Sequence, residues 1–254
     1  MLKDLIIAFQ SYYKAHKIIQ QYKLWKWIIV PGIIYAILFA VSMYFFGKSA
    51  NIFIDWIWRI SKIDKWLTTL ESSLVSFLFT LAGVMIWTLL MFLYFSLFKY
   101  VWLIIGSPIF AYLSEKTAAI IEGTTVIFSW KQLLEDVLRG IKIACRNSLW
   151  QTVYSLSIIF LSLVPVVGWA TPLLALFVEC YYYGFSMLDY SCERKKMSAA
   201  ESIYFIGNHK GLAIGNGLIF YIMHLLPIIG WILAPAYAVV AATVSMTNTT
   251  KQNL

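Results

Sequence analysis

The chain has 254 residues and a formal charge of +8; it is 61% hydrophobic and 17% aromatic against 13% charged. That balance excludes an ordinary soluble domain, in which charged residues make up about a quarter of the chain. Residues 27–47 and 72–98 carry no charge and as helices would reach roughly 31 and 40 Å, enough to cross a hydrocarbon core of about 30 Å, so the chain reads as an all-α integral membrane protein.

In chain order, a first helix is expected over 1–22. Leu2, Leu5, Ile6, Phe9, Tyr13, His16 and Ile19 recur at helical spacing, with Lys3, Gln10, Lys14, Lys17 and Gln21 on the other face. That pattern suits a basic amphipathic helix in the membrane interface. The opening Met1-Leu2-Lys3-Asp4 has no signal-peptide pattern, so the first spanning segment is expected to stay as an internal anchor. Two long membrane helices are predicted over 27–47, with Pro31 in its opening turns, and over 72–113, with Gly106-Ser107-Pro108 expected to bend or break it. Between them, residues 48–71 mix Trp56, Trp58 and Trp66 with Lys and Asp, as an interfacial belt would. Ser129-x-x-Gln132 resembles a capping box that opens an amphipathic helix with Leu133, Leu134, Val137, Leu138, Ile141 and Ala144 on its apolar stripe.

Two helical hairpins follow, over 148–188 and 212–246. Each turns at the same punctuation, Pro165-Val166-Val167-Gly168-Trp169 and Pro227-Ile228-Ile229-Gly230-Trp231. The legs of the first are about 17 and 20 residues long, and Thr171-Pro172 reads as an N-cap with Pro at the first helical position. The legs of the second, about 15 residues each, reach only ~22 Å. Two arrangements fit: full spans with tight turns at the far surface, or hairpins that enter partway and meet inside an oligomer. A charged connection over 189–210 carries a second capping box, Ser198-x-x-Glu201.

Helix N-termini and free backbone N–H groups can hold an anion in a membrane without a buried cation. Gly168, Trp169 and Thr171 at the first tip, and Gly230 and Trp231 at the second, are therefore candidate lining residues. Glu179, the only acid between Asp136 and Asp189, and Lys99, the only charge between Glu71 and Glu115, are candidate proton or charge sites. Gly207, Gly211 and Gly215 are spaced for a smooth packing ridge, unless the first two only end a helix and make a turn. Nothing calls for a metal or another cofactor: Cys145, Cys180 and Cys192 lack ligand spacing, and His16, His209 and His224 are scattered. No catalytic motif is present, so the chain is not expected to be an enzyme. The dispersed basic residues suit anionic lipid headgroups rather than nucleic acid.

The succession Gly106-Ser107-Pro108-Ile109-Phe110-Ala111-Tyr112-Leu113-Ser114-Glu115, then Glu135-Asp136-Val137-x-Arg139, Pro165-x-x-Gly168, Asp189-Tyr190 and Pro227-x-x-Gly230 resembles the CysZ-type sulfate permeases, relatives of the eukaryotic etoposide-induced membrane proteins. The resemblance runs over nearly the whole chain in matching order. It implies two long spanning helices, two hairpins that enter the bilayer only partway, assembly into homo-oligomers, and uptake of a small inorganic anion, sulfate, across the cell inner membrane by a multi-pass protein. Those permeases carry Gly, an apolar residue and Arg just before the first membrane helix, where the anion is thought to dock. The matching stretch here is Lys23-Leu24-Trp25-Lys26, so Lys23, Trp25 and Lys26 are the candidate docking residues, and the planar fork of an Arg is absent. That departure leaves open a second reading, a non-transporting membrane scaffold that organises lipids or partners.

Overall fold

A computed structural model describes residues 1–61, 73–125, 129–162 and 170–252. These residues form eight helices and no strand: α1 (Leu2–Gln21), α2 (Trp25–Ser61), α3 (Ser73–Glu122), α4 (Trp130–Ser162), α5 (Thr171–Arg194), α6 (Ala199–Asn208), α7 (Lys210–His224) and α8 (Ile229–Gln252). The chain divides into two compact units, one built from Met1–Ala36 and Tyr100–Leu254, the other from Ile37–Lys99.

The core of the first unit is α8, buried without interruption from Ala234 to Thr247 and packed by α1, α5 and α7. Small residues make that packing possible. A Cβ on Gly184 would lie 1.9 Å from the Ala213 carbonyl oxygen, and one on Gly217 would lie 2.0 Å from that of Cys180, so α5 and α7 cross backbone against backbone. Gly211 and Gly215 do the same for α1, meeting the Met1 carbonyl and the Ala8 methyl, while nothing packs on Gly207. Two members of the expected glycine ridge therefore serve it.

Helix α1 has three faces rather than two. Ile7, Ala8, Ser11, Tyr12, Ala15 and Ile19 are buried against α7 and α8, with Tyr12 donating to the Asn216 carbonyl at 2.9 Å and His16 Nδ1 2.9 Å from the Tyr237 hydroxyl. Leu2, Ile6, Phe9 and Tyr13 stay exposed, and the lysines flank them. The expected stripe thus mixes a core face with an outer one.

In the second unit, α2 around residues 39–46 runs antiparallel to α3 around residues 94–98. Phe39 meets Phe98 at 5.6 Å, Phe46 meets Tyr94 at 4.8 Å, and Tyr94 donates to the Ser42 carbonyl at 2.6 Å. Among the described residues, two helices are long and apolar enough to cross a membrane: Trp25–Ile52, with 28% of its window buried, and Ile229–Thr249, with 78% buried.

Several boundaries move. Helix α2 continues past 47 through Lys48, Asp55 and Arg59, so 48–61 is helical; Trp66 and residues 62–72 lie outside the described residues. Helix α3 runs unbroken through Pro108 to Glu122. The proline deprives the Ile104 carbonyl of its i+4 donor, and the Ser107 hydroxyl supplies the missing bond at 2.9 Å. The amphipathic segment after Ser129 and the first hairpin leg are one helix, α4, in which Leu134 and Leu138 are exposed and Ile143 and Ala144 buried. Legs of the second hairpin are unequal, 15 residues in α7 and 24 in α8.

Candidate functional site

At the junction of α1 and α2, Lys23 takes φ +52°, the left-handed conformation that ends a helix and favours Gly. Lys23, expected from the resemblance to stand where the sulfate permeases carry Gly, thus has a glycine-like geometry. Lys23 and Lys26 are exposed, Trp25 is half-buried and Leu24 is buried. One residue on, Trp27 packs on Tyr112 at 4.4 Å, and the Lys116 ammonium lies 5.3 Å from the Trp27 ring and 5.7 Å from that of Tyr112. Lys116 therefore joins Lys23 and Lys26 at the positive end of the α2 dipole. Sequence reasoning missed it because the α3 position follows the Glu115 motif by one residue and only packing brings it to α2.

The second tip rests against the same helix, since a Cβ on Gly32 would lie 2.2 Å from the Ile232 carbonyl oxygen. Gly32 is six residues, about 9 Å, along α2 from Lys26. At the tip Ile229 N–H donates to Pro227 at 2.7 Å around Ile228, whose φ is +63°, which makes a tight γ-turn. Gly230 N–H then donates to Leu226 at 2.9 Å and Ile232 N–H to Ile228 at 3.0 Å. Both amides are taken by the hairpin's own carbonyls, so the Gly230 N–H, expected to be free for an anion, is not. Gly230 is buried against the Met223 carbonyl, Leu225, Leu226, Ile228 and Ile229 are exposed, and Trp231 meets His224 edge-on at 6.2 Å. At the first tip, Pro165, Gly168 and Trp169 lie outside the described residues. Thr171 is the first residue of α5 and buried; the N-cap is Ala170, one position earlier than expected, with no side-chain cap.

Glu179 sits in a polar network that ties four helices together. Tyr221 of α7 donates to Glu179 Oε2 at 2.7 Å, Gln151 of α4 donates to Oε1, and Tyr100 of α3 donates to Gln151 Oε1 at 2.5 Å. Lys99 is buried and closes the second unit.

The profile described as "Sulfate transporter CysZ/Etoposide-induced protein 2.4" matches residues 12–235. The chain belongs to this family. Curated relatives named "Sulfate transporter CysZ" include one from Pseudomonas syringae pv. tomato, 26% identical over 223 residues that cover 86% of each chain. One from Pseudomonas aeruginosa is 26% identical over 230 residues, 89% of each chain. A third, from Pseudomonas fluorescens, is 28% identical over 142 residues, 55% of this chain and 57% of its own length.

Two of the motifs carrying the CysZ resemblance meet in space. Arg139 Nη2 lies 3.0 Å from Asp189 Oδ1 and Arg139 Nε 3.7 Å from Glu193 Oε1. The same guanidinium donates to the Met197 carbonyl and the Ser202 hydroxyl, so one α4 side chain binds the end of α5, the following turn and α6. Burial pushes the Cys192 thiol beside this knot up to about 12, with Asp189 adding to the effect. Burial and then Arg194 hold the Lys195 ammonium below its ordinary range. Next to Asp189, Tyr190 donates to the Leu103 carbonyl at 3.2 Å. From the Gly106–Glu115 motif, Ser114 joins Ser191 and Thr243 in a buried hydroxyl cluster, at 3.3 and 3.0 Å.

Proposed function

We propose that the protein is an oligomeric, multi-pass permease of the cell inner membrane that admits a small oxyanion, sulfate. The observation that carries this reading is family membership over residues 12–235, with CysZ relatives that match over most of both chains. The start of α2 is where the anion docks: Lys23, Lys26 and Lys116 supply charge beside Trp25 and Trp27, at a helix N-terminus that favours anions. Lys gives a hydrated point charge in place of the bidentate Arg fork, so capture is weaker and release faster than at an Arg.

From there the route passes the hairpin tips, with Gly168, Trp169 and Thr171 on one and Gly230 and Trp231 on the other. The second hairpin enters only partway: its shorter leg, α7, has 15 residues, about 22 Å, which limits the depth of the tip although α8 alone is long enough to cross. The Gly230 and Ile232 N–H groups at the tip are bonded within the hairpin, as backbone in lipid must be. Glu179 and Lys99 are the charge sites inside the membrane. The work is recognition and passage: no bond is made or broken, no cofactor takes part, and the partners are lipid, anion and further copies of the chain. The scaffold reading draws on Trp25, which stands where the resemblance leads one to expect the family's Arg.

Purified full chain in liposomes tests this with radiolabelled sulfate, and with chloride and phosphate as competitors. Saturable uptake is expected, reduced about tenfold or more when Lys23, Lys26 and Lys116 are all changed to Ala, as loss of charge-assisted bonds implies. Folded wild-type protein that passes no anion overturns the permease in favour of the scaffold.

A further inference from the structure

Inside the first unit, aromatic side chains from four helices form one contiguous cluster. Trp102 of α3 meets Tyr35 of α2 at 4.9 Å, Tyr35 meets His224 of α7 at 5.9 Å, His224 meets Phe220 at 5.2 Å, and Phe220 stacks on Tyr183 of α5 at 3.6 Å. The Tyr35 hydroxyl is 3.0 Å from His224 Nε2, and the Tyr183 hydroxyl lies within electrostatic reach of the Tyr35 and Tyr12 hydroxyls.

Two donors flank the Tyr35–His224 pair. Trp102 is 3% exposed and Tyr183 2%, yet neither Trp102 Nε1–H nor the Tyr183 hydroxyl has a hydrogen-bond partner among the described residues. Buried donors without an acceptor are rare, and each calls for an explanation. A donor-only indole N–H and a phenol O–H, set among rings that exclude water, are what a dehydrated anion needs.

We infer that Trp102 Nε1–H and the Tyr183 O–H, with the Tyr35 hydroxyl between them, form an internal binding site for a small oxyanion stripped of its water. The inference rests on the permease reading and adds an internal station to it, separate from the lysines at the start of α2. Neutral donors accept a negative charge without the desolvation cost of a buried cation. The Tyr35 hydroxyl can rotate from His224 to the anion, because a phenol O–H is free to choose its acceptor. Glu179 stands one layer away, bonded to Tyr221, whose ring is 6.0 Å from that of Tyr183. Its charge opposes the anion and keeps the site weak enough to release, as conduction requires.

Trp102→Phe and Tyr183→Phe each delete one donor and keep a ring. The full chain is purified in detergent, its melting temperature is measured against rising sulfate, and sulfate uptake is measured in liposomes. Sulfate is expected to raise the melting temperature of the wild type and to lose most of that effect in each variant. Uptake is expected to fall about tenfold per donor, the usual size for a hydrogen bond to a charged group. Variants that take up sulfate at the wild-type rate and keep the full sulfate-induced shift overturn the site and leave the permease standing; the donors then hold only water. A wild type inert to sulfate, phosphate and chloride removes the permease itself. If either exchange lowers the yield of folded protein, Tyr35→Phe replaces it, with the same expected loss.

Discussion

The Arg139 knot and the second hairpin tip solve the same problem in opposite ways. Around Arg139 the chain leaves its helices and satisfies its polar groups with charge, joining α4 to Asp189, Glu193, Met197 and Ser202. At Leu225–Trp231 there is no charge at all, and the backbone closes on itself through the γ-turn at Ile228 and the bonds of Gly230 and Ile232. The first solution depends on long side chains that reach across elements. The second depends on backbone geometry and suits a medium that offers no water.

The largest expected effect lies in the knot. Arg139→Leu leaves the Asp189 carboxylate, with a side chain only 7% exposed, buried without its cation. Breaking a buried pair in this way costs about 3–5 kcal/mol. Thermal or chemical unfolding in detergent should show a loss of that size, and Asp189→Asn in the same background should recover part of it. A loss below ~1 kcal/mol would put the pair among surface ion pairs and would erase the contrast with the tip.

Some of this was legible beforehand and some was not, for physical reasons. The Ser198–Glu201 capping box forms as its spacing requires, with Ser198 N–H on Glu201 Oε2 at 2.6 Å, because a cap is a local device. The starts of the helices and the punctuation at Pro227–Trp231 are local as well. Helix α2 outran its charge-free stretch because Lys48, Asp55 and Arg59 are compatible with helix, and loss of apolar character does not end one. Pro108 failed to break α3 because Ser107 replaced the lost bond, a compensation that requires knowing where a hydroxyl points. The partners of Arg139 lie 50 and more residues away, and Lys116 reaches Trp27 only through packing. Periodicity carries no information on either.

A middle-sized effect tests the tip. A β-branched residue at positive φ is strained by about 1–3 kcal/mol, and Ile228 sits at +63° on an exposed loop. Ile228→Gly should raise the melting temperature in detergent, by the equivalent of about 1 kcal/mol after the entropy cost of Gly. Lys23→Gly, at +52°, should act in the same direction by less, since Lys is not branched at Cβ. An unchanged or lower melting temperature for Ile228→Gly would mean that the turn is held by its apolar contacts and that the strain is fully offset there.

The smallest effect separates two carboxylates by sign. Glu201 is held below the ordinary carboxylate range, first by the Ser198 backbone N–H and then by the Ser198 side chain. Its contribution to stability is therefore present above its ordinary pKa and lost as pH falls through the lowered one. Glu115 is pushed upward by burial, with Arg194 opposing. Its contribution is present only below its ordinary pKa and is lost as pH rises through the raised value. Unfolding measured from neutral pH into the acid range should therefore show Glu201→Gln less stable than wild type at neutral pH, with the gap closing on acidification. Glu115→Gln should be the more stable protein at neutral pH, and its advantage should vanish in acid. Ser198→Ala, which removes the N-cap hydroxyl, should cost about 1 kcal/mol and flatten the Glu201 profile. Parallel profiles for the two Gln variants would show that both carboxylates see the same water, and the burial of Glu115 would then have no energetic consequence.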